Sequence, residues 1–264
     1  MPKIFCIDPG HGGADPGAVN GSRHEADDNV RLSLAVSNLL TGQGHKVVLT
    51  HKGDIPSNTK LALEARSKIA VDCKADLFSS LHRNSYIDNS AVGVEIWTRY
   101  NASIQAASAV YEAVSASCGM KSRGMKVGNY LVLYNLPMPG MLLEQGFISN
   151  AGDNMLFDQR LSQNAEAIAK GMLAALGEPW NNTPLNPYWR VQVGAFGVQG
   201  NAEAFLVKVK ADGFPAFLVY YEEKEMWRVQ VGAFSVAANA QNYLKQVKAA
   251  GYEAFLVTPD TGVS

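Results

Sequence analysis

One string of eight residues occurs twice near the C-terminus, and that duplication limits what the last part of the chain can fold into. WRVQVGAF runs from Trp189 to Phe196 and again from Trp227 to Phe234, an offset of 38 residues. The offset persists through NAEAFLVKVKADGFPAFLV from Asn201 and NAQNYLKQVKAAGYEAFLV from Asn239. Each copy reads as strand, helix, strand. A unit that short cannot bury a core alone, so the two copies must share one sheet. The expectation is a small βαββαβ (RNP-like) domain over residues 188–259. Alternation in WRVQVGAF turns Val191 and Val193 toward the helices. Arg190 and Gln192, with their repeat partners Arg228 and Gln230, then face outward.

Upstream, short apolar runs alternate with helical patterns. Residues 3–8, 46–50 and 75–81 read as strands. Residues 25–43 carry Leu32, Ala35, Val36, Leu39 and Leu40 at helical spacing, with Gly42 and Gly44 as the stop. Residues 59–71 read as a helix, and 92–97, 102–117, 130–134, 141–144 and 161–176 continue the pattern of short strands and longer helices. That order predicts an α/β domain over residues 1–177, a mostly parallel sheet flanked by helices on both faces. Residues 178–187, with prolines, asparagines and no periodicity, read as a linker.

Composition excludes several classes. With 23 Lys and Arg against 24 Asp and Glu, the net charge is −1. Non-specific nucleic-acid binding, which needs phosphate neutralisation, is therefore not expected. No run approaches the roughly 18 apolar residues that cross a bilayer, so no membrane association is expected. The start, MPKIFCIDPGHGG, lacks the layout of a signal peptide, which implies synthesis in the cytoplasm. Cys6, Cys73 and Cys118 form no C-x-x-C pair, so they read as small apolar residues in a reducing compartment. Any metal must use His and carboxylate.

Such donors stand where an α/β fold gathers its ligands. His11 follows the first strand in DPGHGGADPG, His82 ends ADLFSSLH, and Glu25 opens the first long helix. Two imidazoles and one carboxylate suit Zn2+, with a fourth position left for water. Glu144 closes the apolar strand of MPGMLLEQGF, an expensive place for a carboxylate without a role, and suits a general base. Taken singly, each signal also fits a satisfied structural residue. His24, His45 and His51 read as solvated surface, and Asp8 and Asp15 as acceptors that shape loops.

Taken in order, DPGHGGADPGA, Glu25 before a long helix, VVLTH, ADLFSSLHRNS and MLLEQGFISN resemble the signature blocks of zinc-dependent N-acetylmuramoyl-L-alanine amidases. The resemblance covers residues 3–176. It implies zinc ligation by His11, Glu25 and His82, catalysis by Glu144, and hydrolysis of the amide between N-acetylmuramic acid and L-alanine of the stem peptide. Departures are His51, where the family often has Arg, and Arg83, where it has a small residue. Arg83 and Asn84, beside His82, are expected to shape the substrate groove, and Arg66 to form a structural ion pair. The repeated module resembles a SPOR domain, which implies binding to peptidoglycan glycan, with Arg190, Gln192, Arg228 and Gln230 as hydrogen-bond partners for sugars. The same residues also serve simply to solubilise an exposed sheet face.

The arrangement without a signal peptide is similar to two groups: phage or prophage endolysins released through holin pores, which are preferred, and mother-cell lytic amidases of sporulating bacteria. A monomer is expected, with bacterial peptidoglycan as its partner. Two rivals remain: a wall-binding protein that has lost activity, and an RRM-type RNA binder, which predicts stacking aromatics on the central strands and a basic face.

Overall fold

The computed structural model of the protein describes residues 1–99, 101–181, 189–221, 224–234 and 237–257. It divides into two compact units, Met1–Asn181 and Asn182–Ser264. Most of the expected linker falls on residues 182–188, which lie outside the described residues.

The first unit is built on a six-stranded sheet. Its strands are β1 (Ile4–Pro9), β4 (Lys46–Leu49), β5 (Leu77–Asn84), β6 (Val94–Thr98), β7 (Ser122–Val127) and β8 (Gly140–Phe147), in the spatial order β4-β1-β5-β8-β6-β7. All neighbours are parallel except β6 with β8. A small hairpin, β2 (Val19–Asn20) with β3 (Arg23–His24), precedes the first helix. The helices are α1 (Glu25–Gly42), α2 (Leu63–Asp72), α3 (Asn101–Ser117), α4 (Ala151–Gln159) and α5 (Leu161–Ala175).

Strand alternation divides the core. Leu77 and Leu81 of β5 and Met141 and Leu143 of β8 pack with Leu32, Val36, Val110, Ile168 and Met172 from α1, α3 and α5. Phe78 and Leu142 pack on the other face with Cys6, Ala70 and Val132. The sheet therefore carries helices on both faces, as its apolar patterning implies. One reading needs correction. Residues 130–134 do not form a strand: Leu131–Leu133 make a single 3-10 turn, an outcome that a short apolar run does not distinguish from a strand. Strand β7 and helix α4 escaped the sequence reading because SRGMKV is largely polar and AGDNMLFDQ is short, with polar and apolar residues mixed.

The second unit is the expected βαββαβ. Strands β9 (Trp189–Phe196), β10 (Phe217–Tyr221), β11 (Met226–Phe234) and β12 (Phe255–Val257) pair in the order β10-β11-β9-β12, every pair antiparallel. Helices α6 (Gln199–Ala211) and α7 (Ala237–Ala249) follow the two repeated strands. Val191, Val193, Val229 and Val231 are in the core, as alternation requires. The glutamines depart from expectation. Gln192 and Gln230 are 3% and 1% exposed, so they are not open surface amides. The register explains this: the two face each other across the central strand pair, with Phe217 beyond Gln230 and Phe255 beyond Gln192. That flanking row covers them. Arg190 and Arg228 are half-buried, and Arg228 lies over the Tyr221 ring at 3.7 Å.

No described helix is long and apolar enough to cross a membrane. All three cysteines are free.

Candidate metal centre and catalytic groove

Strands β1, β5 and β8 are adjacent and parallel, so their carboxyl ends share one edge of the sheet. His11 stands in the loop after β1, His82 near the end of β5, and Glu144 is the register partner of His82 on β8. Glu25 is the first residue of α1. Residues far apart in the chain thus converge at the place where open α/β sheets bind ligands.

The loop that holds His11 is tied down from below. Arg66 of α2 donates to Asp8 Oδ1 at 2.8 Å, to the Pro9 carbonyl at 2.7 Å and to the His11 carbonyl at 2.6 Å. Asp8 is buried and also accepts from Thr50 Oγ1 and Ser80 Oγ, each at 2.6 Å. This web sustains a φ of 65° at His11, a left-handed conformation that non-glycine residues seldom adopt. Arg66 and Asp8 thus have the structural ion-pair and loop-shaping parts expected of them. His51, expected at the surface, is instead buried: its Nε2 lies 2.7 Å from the Pro9 carbonyl, and its Nδ1 accepts from the Gly53 N–H. Polar neighbours in the chain concealed that role.

Glu25 is the hub. Its Oε2 is 3.2 Å from His11 Nε2 and accepts from the Ala18 N–H at 2.9 Å. Its Oε1 is 2.9 Å from His82 Nδ1 and accepts from the Arg83 N–H at 3.1 Å. Asn29, one turn along α1, donates to Glu25 Oε1 and to the Gly10 carbonyl. Burial works to raise the Glu25 pKa, but the bonds from His11 and His82 prevail and hold it well below the usual carboxylate range. Burial also works to lower the pKa of His82, yet its bond to Glu25 and the nearby Glu144 charge raise it. The other nitrogen of His11, Nδ1, is 3.3 Å from Asp15 Oδ1, so a carboxylate orients that ring.

Donor atoms of His11, Glu25 and His82 all lie within 4.8 Å of one another. That set matches zinc in chemistry and in number, and the spacing lets three bonds of about 2 Å converge on one ion. A second observation agrees. Glu144 Oε2 is buried without a hydrogen-bond partner, facing a need that neighbouring side chains do not meet. Burial pushes the Glu144 pKa up to about 7, against a partly opposing His82 charge. Two glycines give the site its room. A Cβ on Gly10 would lie 2.2 Å from the His82 ring, and one on Gly17, at φ 68°, would lie 2.7 Å from Glu25 Oε2.

The four side chains open on a groove of about 370 Å³, lined further by Leu63, Asn84, Tyr130, Leu131 and Leu142. Arg83 needs correction. Its guanidinium is fully buried, bonded to Asp28 Oδ2 and to Asn154 Oδ1 at 2.7 Å, and lies over the Phe157 ring at 4.2 Å. Because His82 points into the groove, its strand neighbour must point to the opposite face, and only the Arg83 backbone is left near the groove. Burial lowers its pKa to about 10, and Asp28 opposes that fall. Asn84 does border the groove, and it donates to Glu95 Oε1 at 3.1 Å. Glu95 was not anticipated. It is the register partner of Glu144 on β6, and the antiparallel entry of that strand is not readable from the sequence.

The match to known proteins covers both units. Residues 5–174 match the model of the family described as N-acetylmuramoyl-L-alanine amidase, and residues 185–258 match that of the SPOR domain. The sporulation-specific N-acetylmuramoyl-L-alanine amidase of Bacillus subtilis is 32% identical over 233 residues, spanning 83% of this chain and 85% of the relative. An N-acetylmuramoyl-L-alanine amidase of Bacillus licheniformis, CwlM, is 30% identical over 83% of this chain and 85% of its own length. The solved catalytic domain of the amidase CwlV from Bacillus (Paenibacillus) polymyxa superposes with a TM-score of 0.63 at 34% identity, covering 67% of this chain and 99% of that domain. This chain therefore belongs to the N-acetylmuramoyl-L-alanine amidase family and carries a SPOR domain behind its amidase domain.

Proposed function

We propose that the chain is a zinc-dependent hydrolase that cuts the amide between the lactyl group of N-acetylmuramic acid and L-alanine, and that its SPOR domain targets it to glycan. The observation that carries the reading is the convergence of His11, Glu25 and His82 beside the orphaned Glu144 oxygen. His11, Glu25 and His82 would hold the metal. The chemistry that a bound zinc supplies is Lewis acidity, which polarises a carbonyl and acidifies water. Glu144 takes the proton of the attacking water on its carboxylate and returns it to the departing L-alanine nitrogen as the C–N bond breaks. Glu25 and Asp15 keep the two imidazoles in place, and the groove wall from Tyr130 to Leu142 aligns the sugar–peptide junction.

The second unit supports glycan binding through a groove of about 410 Å³ beside Gln192 and Arg228, with Phe255 as an apolar floor for a sugar ring. Gln192 Oε1 and both polar atoms of Gln230 lack hydrogen-bond partners. On the RNA alternative, the central strands would present stacking aromatics; here the aromatics of that row stand on the outer strands. As to setting, the B. subtilis relative aligns over 233 residues, too long a span for either unit alone. That favours mother-cell lysis in sporulation over the endolysin role read from the sequence.

Mass spectrometry of peptidoglycan digested by the full chain tests the bond. Released peptides beginning with a free L-alanine amine are the expected product. Glycan fragments with newly cut sugar–sugar bonds, or cuts within the stem peptide alone, would refute the reading.

A further inference from the structure

We infer that Arg123 and Lys126 form a carboxylate-reading subsite for the peptide half of the substrate, an inference that rests on the amidase reading above. The placement comes from the sheet. His82, Glu144 and Glu95 are successive register partners on β5, β8 and β6, so they form one row on one face. The next strand, β7, closes that row with the two cations.

Glu95 is 3% exposed and takes four donors: Arg123 Nε at 2.7 Å, Lys126 Nζ at 2.6 Å, Trp97 Nε1 at 3.0 Å and Asn84 Nδ2 at 3.1 Å. Two cations on one carboxylate leave a net positive charge. Both side chains are 33% exposed, so that charge reaches solvent. The pair is also linked to the groove wall through two aromatic rings. The Lys126 ammonium lies 4.9 Å from the centre of the Trp97 ring, Trp97 meets Tyr130 at 5.2 Å, and Tyr130 lines the catalytic groove.

Glu144 marks the reacting amide. From it, two strand spacings reach β7, a distance of roughly 10 Å. Extended peptide covers about 3.4 Å per residue, so the cations fall opposite the second or third residue beyond the cut. A carboxylate on either residue would find a charge-assisted partner there. The competing explanation is that the pair only neutralises Glu95 and blunts an edge strand. That role needs no ligand and predicts no selectivity.

Two synthetic muramyl tripeptides separate these readings, one with free carboxylates on its second and third residues and one with carboxamides in their place. The wild-type chain is expected to favour the free acid in kcat/KM by about tenfold, a preference that shrinks with added salt. Lys126→Gln, which leaves the Arg123–Glu95 pair intact, lowers the ratio part-way. Arg123→Gln with Lys126→Gln and Glu95→Gln, a combination that strands no buried charge, brings the ratio to about one. A wild-type ratio near one, or a triple variant that keeps the preference, overturns the subsite. Cleavage of neither peptide by the wild-type chain would overturn the amidase reading beneath it.

Discussion

Glu144→Gln is expected to lower kcat by about 10²–10⁴-fold while leaving the fold and the metal content in place. The carboxylate stands inside β8, three residues before its end at Phe147 and in register with His82, and one of its oxygens is buried with no partner. The amide replaces it at the same volume but accepts no proton. The loss should therefore appear in kcat with little change in KM, the sign of an interaction made in the transition state. Stability separates this account from simple damage. Burial raises the folded-state pKa to about 7 from 4.5, so folding favours the protonated form. Between those values the folded state holds a proton that the unfolded chain has lost, and raising the pH removes stability. Glutamine, neutral at every pH, escapes that loss. Metal-free Glu144→Gln should thus exceed the metal-free wild type at pH 8 by about 1–3 kcal/mol at most in urea denaturation. A variant that hydrolyses walls at the wild-type rate would remove Glu144 from the mechanism.

The second large effect comes from one methyl group. Gly10→Ala places a Cβ 2.2 Å from Cε1 and 2.3 Å from Nε2 of His82, inside any tolerable contact. The ring cannot stay where it is. Its bond to Glu25 Oε1 at 2.9 Å is the link between two of the three donors, so moving it opens the set. Zinc affinity is expected to fall by about 10–100-fold, the scale seen when support around a metal ligand is removed, and activity at limiting zinc should fall with it. Isothermal titration of the metal-free variant measures this. Wild-type affinity in Gly10→Ala would show that the His82 ring does not take part in holding the metal.

Much of the site was legible because strand ends and helix starts are legible. His11 and Glu25 sit at such boundaries and His82 two residues before one, and a parallel sheet brings those boundaries to one edge. Arg83 was open to correction from the sequence itself: if His82 points into the groove, period-two alternation sends the next side chain away. Other features needed the register. Gln192 and Gln230 alternate outward from the valines, yet their burial depends on Phe217 and Phe255 arriving on neighbouring strands. Glu95 joins the row of His82 and Glu144 only because β6 runs antiparallel to β8, which no local pattern announces. His51 is buried by a bond to the Pro9 carbonyl, a partner 42 residues away. Residues 130–134 failed for a different reason: five residues cannot separate a 3-10 turn from a strand by periodicity.

The proposed function requires that His11, Glu25 and His82 hold one zinc on which amide hydrolysis depends. Elemental analysis of the chelated and zinc-restored protein, alongside His11→Ala, measures it directly. About one zinc per wild-type chain is expected, with wall hydrolysis lost on chelation and regained on adding zinc, and with no stoichiometric zinc in His11→Ala. Full hydrolysis by a metal-free wild-type chain, or one zinc retained by His11→Ala at wild-type affinity, would contradict the account.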